Sequence, residues 1–138
     1  TQPAEYPARL EAGTLNSHGI AGLSAALDLI SEMGIDRIRQ CELNLMYRFY
    51  HKISTSDRIT IRGSFDSVPR IPALTLSLIN MEPSVCIDRL RQSGIVAGLM
   101  TPSVSGPAAA VFSFSPFNTE EEVDIAADTL LAIASQEK

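Results

Sequence analysis

The sequence predicts an α+β domain, a small and mostly antiparallel sheet with helices packed on one face. Three observations carry that expectation. Apolar residues recur at helical spacing between Ile20 and Phe49 and again between Val123 and Ile133, they switch to a period of two near 58–62 and 73–79, and turn-forming residues separate the runs. Two helices, two strands, a helix, two strands and a helix, in that order, make one sheet layer and one helix layer.

In the first helix, near 18–33, Ile20, Leu23, Leu27 and Ile30 fall on one face, with Ser17 placed to cap its start and Gly34 to end it. The second, near 36–53, starts from Asp36 as N-cap and repeats the spacing at Ile38, Cys41, Leu45 and Phe49 until Ser54-Thr55-Ser56-Asp57 breaks it. Ile59 and Ile61 then alternate with Arg58, Thr60 and Arg62, and Leu74, Leu76 and Leu78 alternate with Thr75 and Ser77, as half-buried strands do. The stretch 63–72 between them, with Pro69, Arg70 and Pro72, is too irregular to extend either strand.

Pro83 suits the first position of a third helix near 83–92 that stops at Gly94. A short strand is expected near 95–97, a loop over LMTPSVSGP and a longer strand over 109–115. The last helix, near 119–135, has the clearest start: Thr119 as N-cap, Glu122 three residues on to complete a capping box, and glutamates throughout the first turn. Val123, Ala126, Ala127, Leu130 and Ile133 supply its buried face.

The chain has 138 residues, 45% of them hydrophobic, which suits one core. A formal charge of −5 without Lys/Arg runs argues against a nucleic-acid partner. Apolar stretches fall short of the roughly 18 residues that cross a bilayer, and TQPAEYPARL lacks the basic and apolar segments of a signal peptide, so no membrane role and a cytoplasmic location are expected. Cys41 and Cys86 have no CxxC spacing and read as small hydrophobes in a reducing compartment. His18 and His51 stand far apart, and no metal motif is visible. Thr1 opens a proline-bearing stretch, expected to be extended, that has no pairing partner of its own and reads as a cut edge.

The run Arg9-Leu10-Glu11-Ala12-Gly13-Thr14-Leu15-Asn16-Ser17-His18-Gly19-Ile20-Ala21-Gly22-Leu23 resembles the stretch at which class V aminotransferases and cysteine desulfurases pass from their large domain to their small one. Arg70-Ile71-Pro72-Ala73-Leu74-Thr75-Leu76-Ser77 looks like the approach to one of the family's strands. Ser113-Phe114-Ser115-Pro116-Phe117-Asn118-Thr119-Glu120-Glu121-Glu122-Val123-Asp124 is similar to its closing segment.

The resemblance implies a fold type I enzyme that uses pyridoxal phosphate (PLP) on an amino-acid substrate and works as a homodimer. Residues 1–17 would then be an arm between domains, close to the cofactor, and 18–138 the C-terminal small domain, with the large domain as the missing partner. It further implies that Gly13 and Thr14 approach the cofactor phosphate of the neighbouring subunit. A glycine there allows close backbone approach, and a threonine adds a hydroxyl donor. Read without the resemblance, the same pair is a turn before a capped helix.

The departures from the family pattern are as informative. The family's cofactor-bonding lysine, ring-pairing aspartate and stacking histidine belong to its large domain, and the lysines here, Lys52 and Lys138, lie outside any such motif. No catalytic residue is therefore assigned, and this chain alone is not expected to hold PLP. Where the family carries an arginine for the substrate carboxylate and a sulfur-accepting cysteine, Val96 and Thr101 stand near their places, and a second arginine is replaced by Val111-Phe112. A threonine hydroxyl makes no persulfide.

Three readings follow in order of preference. The chain is part of a PLP-dependent transferase or lyase, contributing phosphate contacts and substrate wall; it is a non-catalytic family member serving as a dimerisation or scaffold module; or it is a stand-alone ligand-binding domain. The last requires the apolar face of the first helix to be covered within the chain.

Overall fold

The computed structural model describes residues 3–11, 13–63, 70–102 and 106–136. The chain divides into two compact units, Thr1–Ile35 and Asp36–Lys138. The first unit holds a turn of 3₁₀ helix at Ala8–Leu10 and helix α1 (Ser17–Met33). The proline-bearing start is thus turned and partly helical, not extended, since Arg9 N–H bonds to Glu5 O and Leu10 N–H to Pro7 O.

The cap of α1 is Asn16 and not Ser17, which is already the first helical residue. Asn16 Oδ1 accepts the N–H of Gly19 at 3.0 Å. The Asn16 amide fills the space that Gly19 leaves open, where a Cβ would stand 2.5 Å from Asn16 Nδ2. At the other end Gly34, with φ +81°, returns its N–H to Ile30 O, as expected of a helix-ending glycine. No residue of α1 is buried: Leu23 is 61% exposed, and Ile20, Leu27 and Ile30 are exposed with it.

Helix α2 (Ile35–Ile53) begins one residue before Asp36, which sits in its first turn and not at the cap. There its carboxylate still meets the positive end of the helix. Strands β1 (Ile59–Arg62) and β2 (Ala73–Leu78), helix α3 (Pro83–Gln92), strands β3 (Gly98–Met100) and β4 (Ala109–Ser113) and helix α4 (Glu120–Ser135) complete the second unit. The sheet order is β1-β2-β4-β3, and every neighbouring pair is antiparallel.

The expected strand at 95–97 lies instead at 98–100. Ile95 donates its N–H to Leu90 O at 2.9 Å, so the chain is still tied to the end of α3 at that point, and pairing with β4 begins only at Gly98, opposite Val111. Strand β4 likewise stops at Ser113. Phe114 N–H still reaches Pro72 O, but Ser115 N–H turns to Asn118 Oδ1 and Pro116 has no N–H to give.

Alternation in β2 sends Leu74, Leu76 and Leu78 into the core and leaves Thr75 and Ser77 half-buried on the other face. Phe49 of α2, at 0% exposure, packs on Phe112 and Phe114 with ring centroids 4.7 and 5.5 Å apart. Leu90 of α3 and Leu130 of α4 close the same cluster, so the helices of this unit cover one face of the sheet as expected. Thr119 forms the predicted capping box: Glu122 N–H donates to Thr119 Oγ1 at 3.1 Å, and Thr119 N–H to Glu122 Oε2 at 2.9 Å.

Candidate functional site

Gly13 and Thr14 lie between the 3₁₀ turn and α1, both exposed. Gly13 has φ +83°, while a Cβ at that position would meet nothing within 4 Å. The glycine is therefore demanded by backbone conformation, not by a neighbour inside the chain, and open space remains beside it. A hollow of about 240 Å³ opens there, lined by Leu10, Glu11, Gly13, Thr14, Leu15 and Asn16. Among the described residues no hydrogen bond engages the Thr14 hydroxyl. The described lining thus offers a hydroxyl donor and backbone groups, with the carboxylate of Glu11 as its charged group.

In the second unit, Val96 is exposed in the turn before β3 and Thr101 is exposed just after it. Val111 is half-buried on the sheet face opposite the core, and Phe112 points into the core. None of these positions carries a guanidinium or a thiol. The cysteines do not replace them: Cys41 is half-buried on α2, and Cys86 is buried in α3, where desolvation pushes its thiol up to about 11. A thiol held neutral in that way is a packing residue.

Lys52 serves as a bracket between α2 and α4. Its Nζ bonds Asp128 Oδ2 at 2.9 Å and lies 3.5 Å from Asp124 Oδ1. Its pKa is raised, chiefly by the hydrogen bond to Asp128, which is the opposite of what a nucleophilic lysine needs. Arg48 completes the bracket, donating to Asp124 and to Glu120. Lys138 lies outside the described residues. Among the described residues no cluster of three or more His, Cys, Asp or Glu could hold a metal, and no helix is long and apolar enough to cross a membrane.

Arg62 was not singled out by sequence reasoning. The period-two pattern of β1 does place it, with Thr60, in the set facing away from the core, and the register sets it opposite Thr75. Its Nη1 donates to Pro107 O at 2.6 Å, and its Nη2 to Ala108 O at 2.8 Å and Ser77 Oγ at 2.9 Å. One side chain thereby ties β1, β2 and the approach to β4 together. Arg70 lies nearby, its Nη2 3.5 Å from where a Cβ on Gly63 would stand.

The family model for class-V aminotransferases matches residues 1–125. The chain belongs to that family. Within it, a probable cysteine desulfurase of Methanothermobacter thermautotrophicus is 28% identical over 94% of this chain and 35% of its own length. A cysteine desulfurase of Escherichia coli is 31% identical over 86% of this chain and 30% of its own. The apo structure of a cysteine desulfurase from Thermococcus onnurineus matches with a TM-score of 0.82 at 21% identity, over 95% of this chain and 34% of the other, a likeness of fold alone. This class-V chain thus spans about a third of the length of the curated relatives it matches.

Proposed function

We propose that this chain is the C-terminal part of a PLP-dependent class-V protein, with 18–138 as its small domain and 1–17 as an arm reaching the cofactor. The observation that carries the reading is the family match over residues 1–125 by a chain that covers 35% of a relative's length. The bare apolar face of α1 supports it, because a large domain would cover that face. Bound PLP would supply the electron sink for breaking a bond at an amino-acid carbon.

In this reading Gly13 and Thr14 hold a phosphate oxygen of the cofactor across a homodimer interface. The positive φ of Gly13 turns the arm there, and the Thr14 hydroxyl donates. The chain's own part is to bind and to wall the site. The covalent link to the cofactor falls to a lysine of the large domain, and the whole works in the cytoplasm.

Thr101 in place of a thiol, and Val96 and Val111 in place of guanidinium groups, favour a second reading in which the whole protein is a dimerisation or scaffold module without turnover. Thr14→Val in the full-length dimer tests the first. Loss of one hydrogen bond to a charged oxygen should weaken PLP binding by about 1–3 kcal/mol, followed by absorbance titration, with the melting temperature unchanged. A variant that unfolds while its PLP affinity stays the same makes Thr14 a turn residue and removes the cofactor assignment. A full-length protein with no PLP binding at all supports the scaffold.

A further inference from the structure

Strands β3 and β4 pair from Gly98 opposite Val111, and before that pair they part: Ile95 N–H goes to Leu90 O, and Ser115 N–H turns to Asn118 Oδ1. A hollow of about 390 Å³ opens where they part, between the end of α3, the end of β4 and the first turns of α4. Phe114 and Val123, both members of the core cluster, line its inner part. Ile95, Val96 and Ile125 add apolar wall, with Val96 87% and Ile125 53% exposed. Exposed apolar side chains gathered around a concavity mark a surface that binds something.

One lining group is charged. Glu122 Oε2 accepts the Thr119 N–H at 2.9 Å and Asn118 Nδ2 at 3.4 Å. These bonds, the one from the Thr119 N–H first, hold its carboxyl below the usual carboxylate range. Among the described residues Oε1 accepts no hydrogen bond and Glu122 pairs with no cation. The segments 64–69 and 103–105 carry no Lys or Arg, and Lys138 follows the far end of α4, roughly 20 Å along the helix from Glu122. The positive end of α4 is worth about half a charge. Glu121 and Glu122 outweigh it, so the hollow favours a cation.

We propose that this hollow receives a lysine side chain of a separate protein, its ammonium on Glu122 Oε1 and its aliphatic stem along Ile95, Val96 and Ile125. One open carboxylate oxygen suits a point charge with rotatable donors, whereas the planar fork of an arginine gains most from two. The formal charge of −5 draws a basic partner toward the chain. Every lining residue belongs to the unit Asp36–Lys138, and no cofactor is needed, so the site is testable independently of the PLP reading.

The experiment is an amide NMR titration of the 138-residue chain, at constant ionic strength, with a blocked glycine pentapeptide carrying lysine, norleucine or arginine at its centre. The lysine peptide should shift the amides of Ile95, Val96, Ser113 and Glu122 saturably, and the norleucine peptide should bind about threefold to fivefold more weakly. Glu122→Gln keeps the capping box, because a glutamine side chain accepts the same N–H, and should weaken the lysine peptide by the same factor. Ile125→Ala trims the apolar wall and should weaken it about twofold. Shifts that never saturate, or lysine affinity unchanged in Glu122→Gln, overturn the site. Tighter binding of the arginine peptide overturns the lysine assignment. Should Glu122→Gln unfold the chain, the norleucine peptide decides: equal affinity with lysine ends the proposal. The full-length protein should bind the lysine peptide as this chain does, and failure there means that the rest of the protein covers the hollow, which overturns the separate partner.

Discussion

Helices α1 and α2 are built from the same kind of pattern and meet opposite fates. Both repeat apolar residues at intervals of three and four, over 17 and 19 residues. Helix α2 buries Leu45, Met46, Phe49 and Ile53, while α1 buries nothing and leaves Ile20, Leu23, Leu27 and Ile30 in water. Periodicity tells which face of a helix requires cover, and only the rest of the chain tells whether cover is supplied. The region after Asp36 carries its own core, and the region before it carries an apolar face in want of one, against the expectation for a stand-alone domain.

The largest effect expected from this contrast comes from truncating one residue on each helix. Phe49→Ala removes a fully buried ring held between Phe112 and Phe114 and should cost about 3–5 kcal/mol of unfolding free energy. Leu23→Ala on α1 should cost almost nothing, because that side chain has little burial to lose and alanine is at least as good a helix former. Urea unfolding of both variants measures the difference. Equal losses would mean that α1 is covered in solution and that the contrast between the regions is false.

A smaller effect separates the two helix starts. Thr119→Ala deletes one half of a reciprocal capping box on α4 and should lower stability by about 1 kcal/mol. Asn16→Ala deletes a single cap bond on a helix that buries nothing, so global unfolding should be unaffected and only the helical signal of α1 should fall. Circular dichroism alongside denaturant unfolding separates these outcomes. A global loss from Asn16→Ala would tie α1 to the folding of the core.

What was legible in the sequence follows from whether a residue's partner is near it in the chain. Thr119 and Glu122 satisfy each other, so their box could be read directly, and so could the alternation of Leu74, Leu76 and Leu78. The start of β3 could not, since it depends on Ile95 being held by Leu90 and on the register against β4. Ser17 and Asn16 are both good caps by residue type, and it is Asn16 whose side chain takes the Gly19 N–H. Gly13 and Thr14 were singled out through resemblance, not through their own chemistry. The structure adds a positive φ and an open hollow there, which the residue types alone did not require. Arg62 escaped notice because its acceptors come from Ser77, Pro107 and Ala108, far along the chain.

The smallest expected effect is a pH dependence confined to the region with the core. Asp124 of α4 is held down to about 2, chiefly by its hydrogen bond from Arg48, which together with the charges of Arg48 and Lys52 outweighs the opposing cost of desolvation. An aspartate in the unfolded chain titrates near 3.9. Between those values the unfolded state takes up a proton that the folded state refuses, so stability is lost as pH falls from about 4 toward about 2 and is fully present above. Arg48 and Lys52 both have raised pKa values and stay charged throughout that window. The bracket lies at the surface, so the effect should be modest and should shrink in high salt. Asp124→Asn should melt slightly lower at pH 7 and should lose less melting temperature than the parent chain between pH 4 and pH 2. Thermal melts over pH 2–7 measure this, and a variant whose curve runs parallel to the parent's through the acid range would take Asp124 out of the acid response.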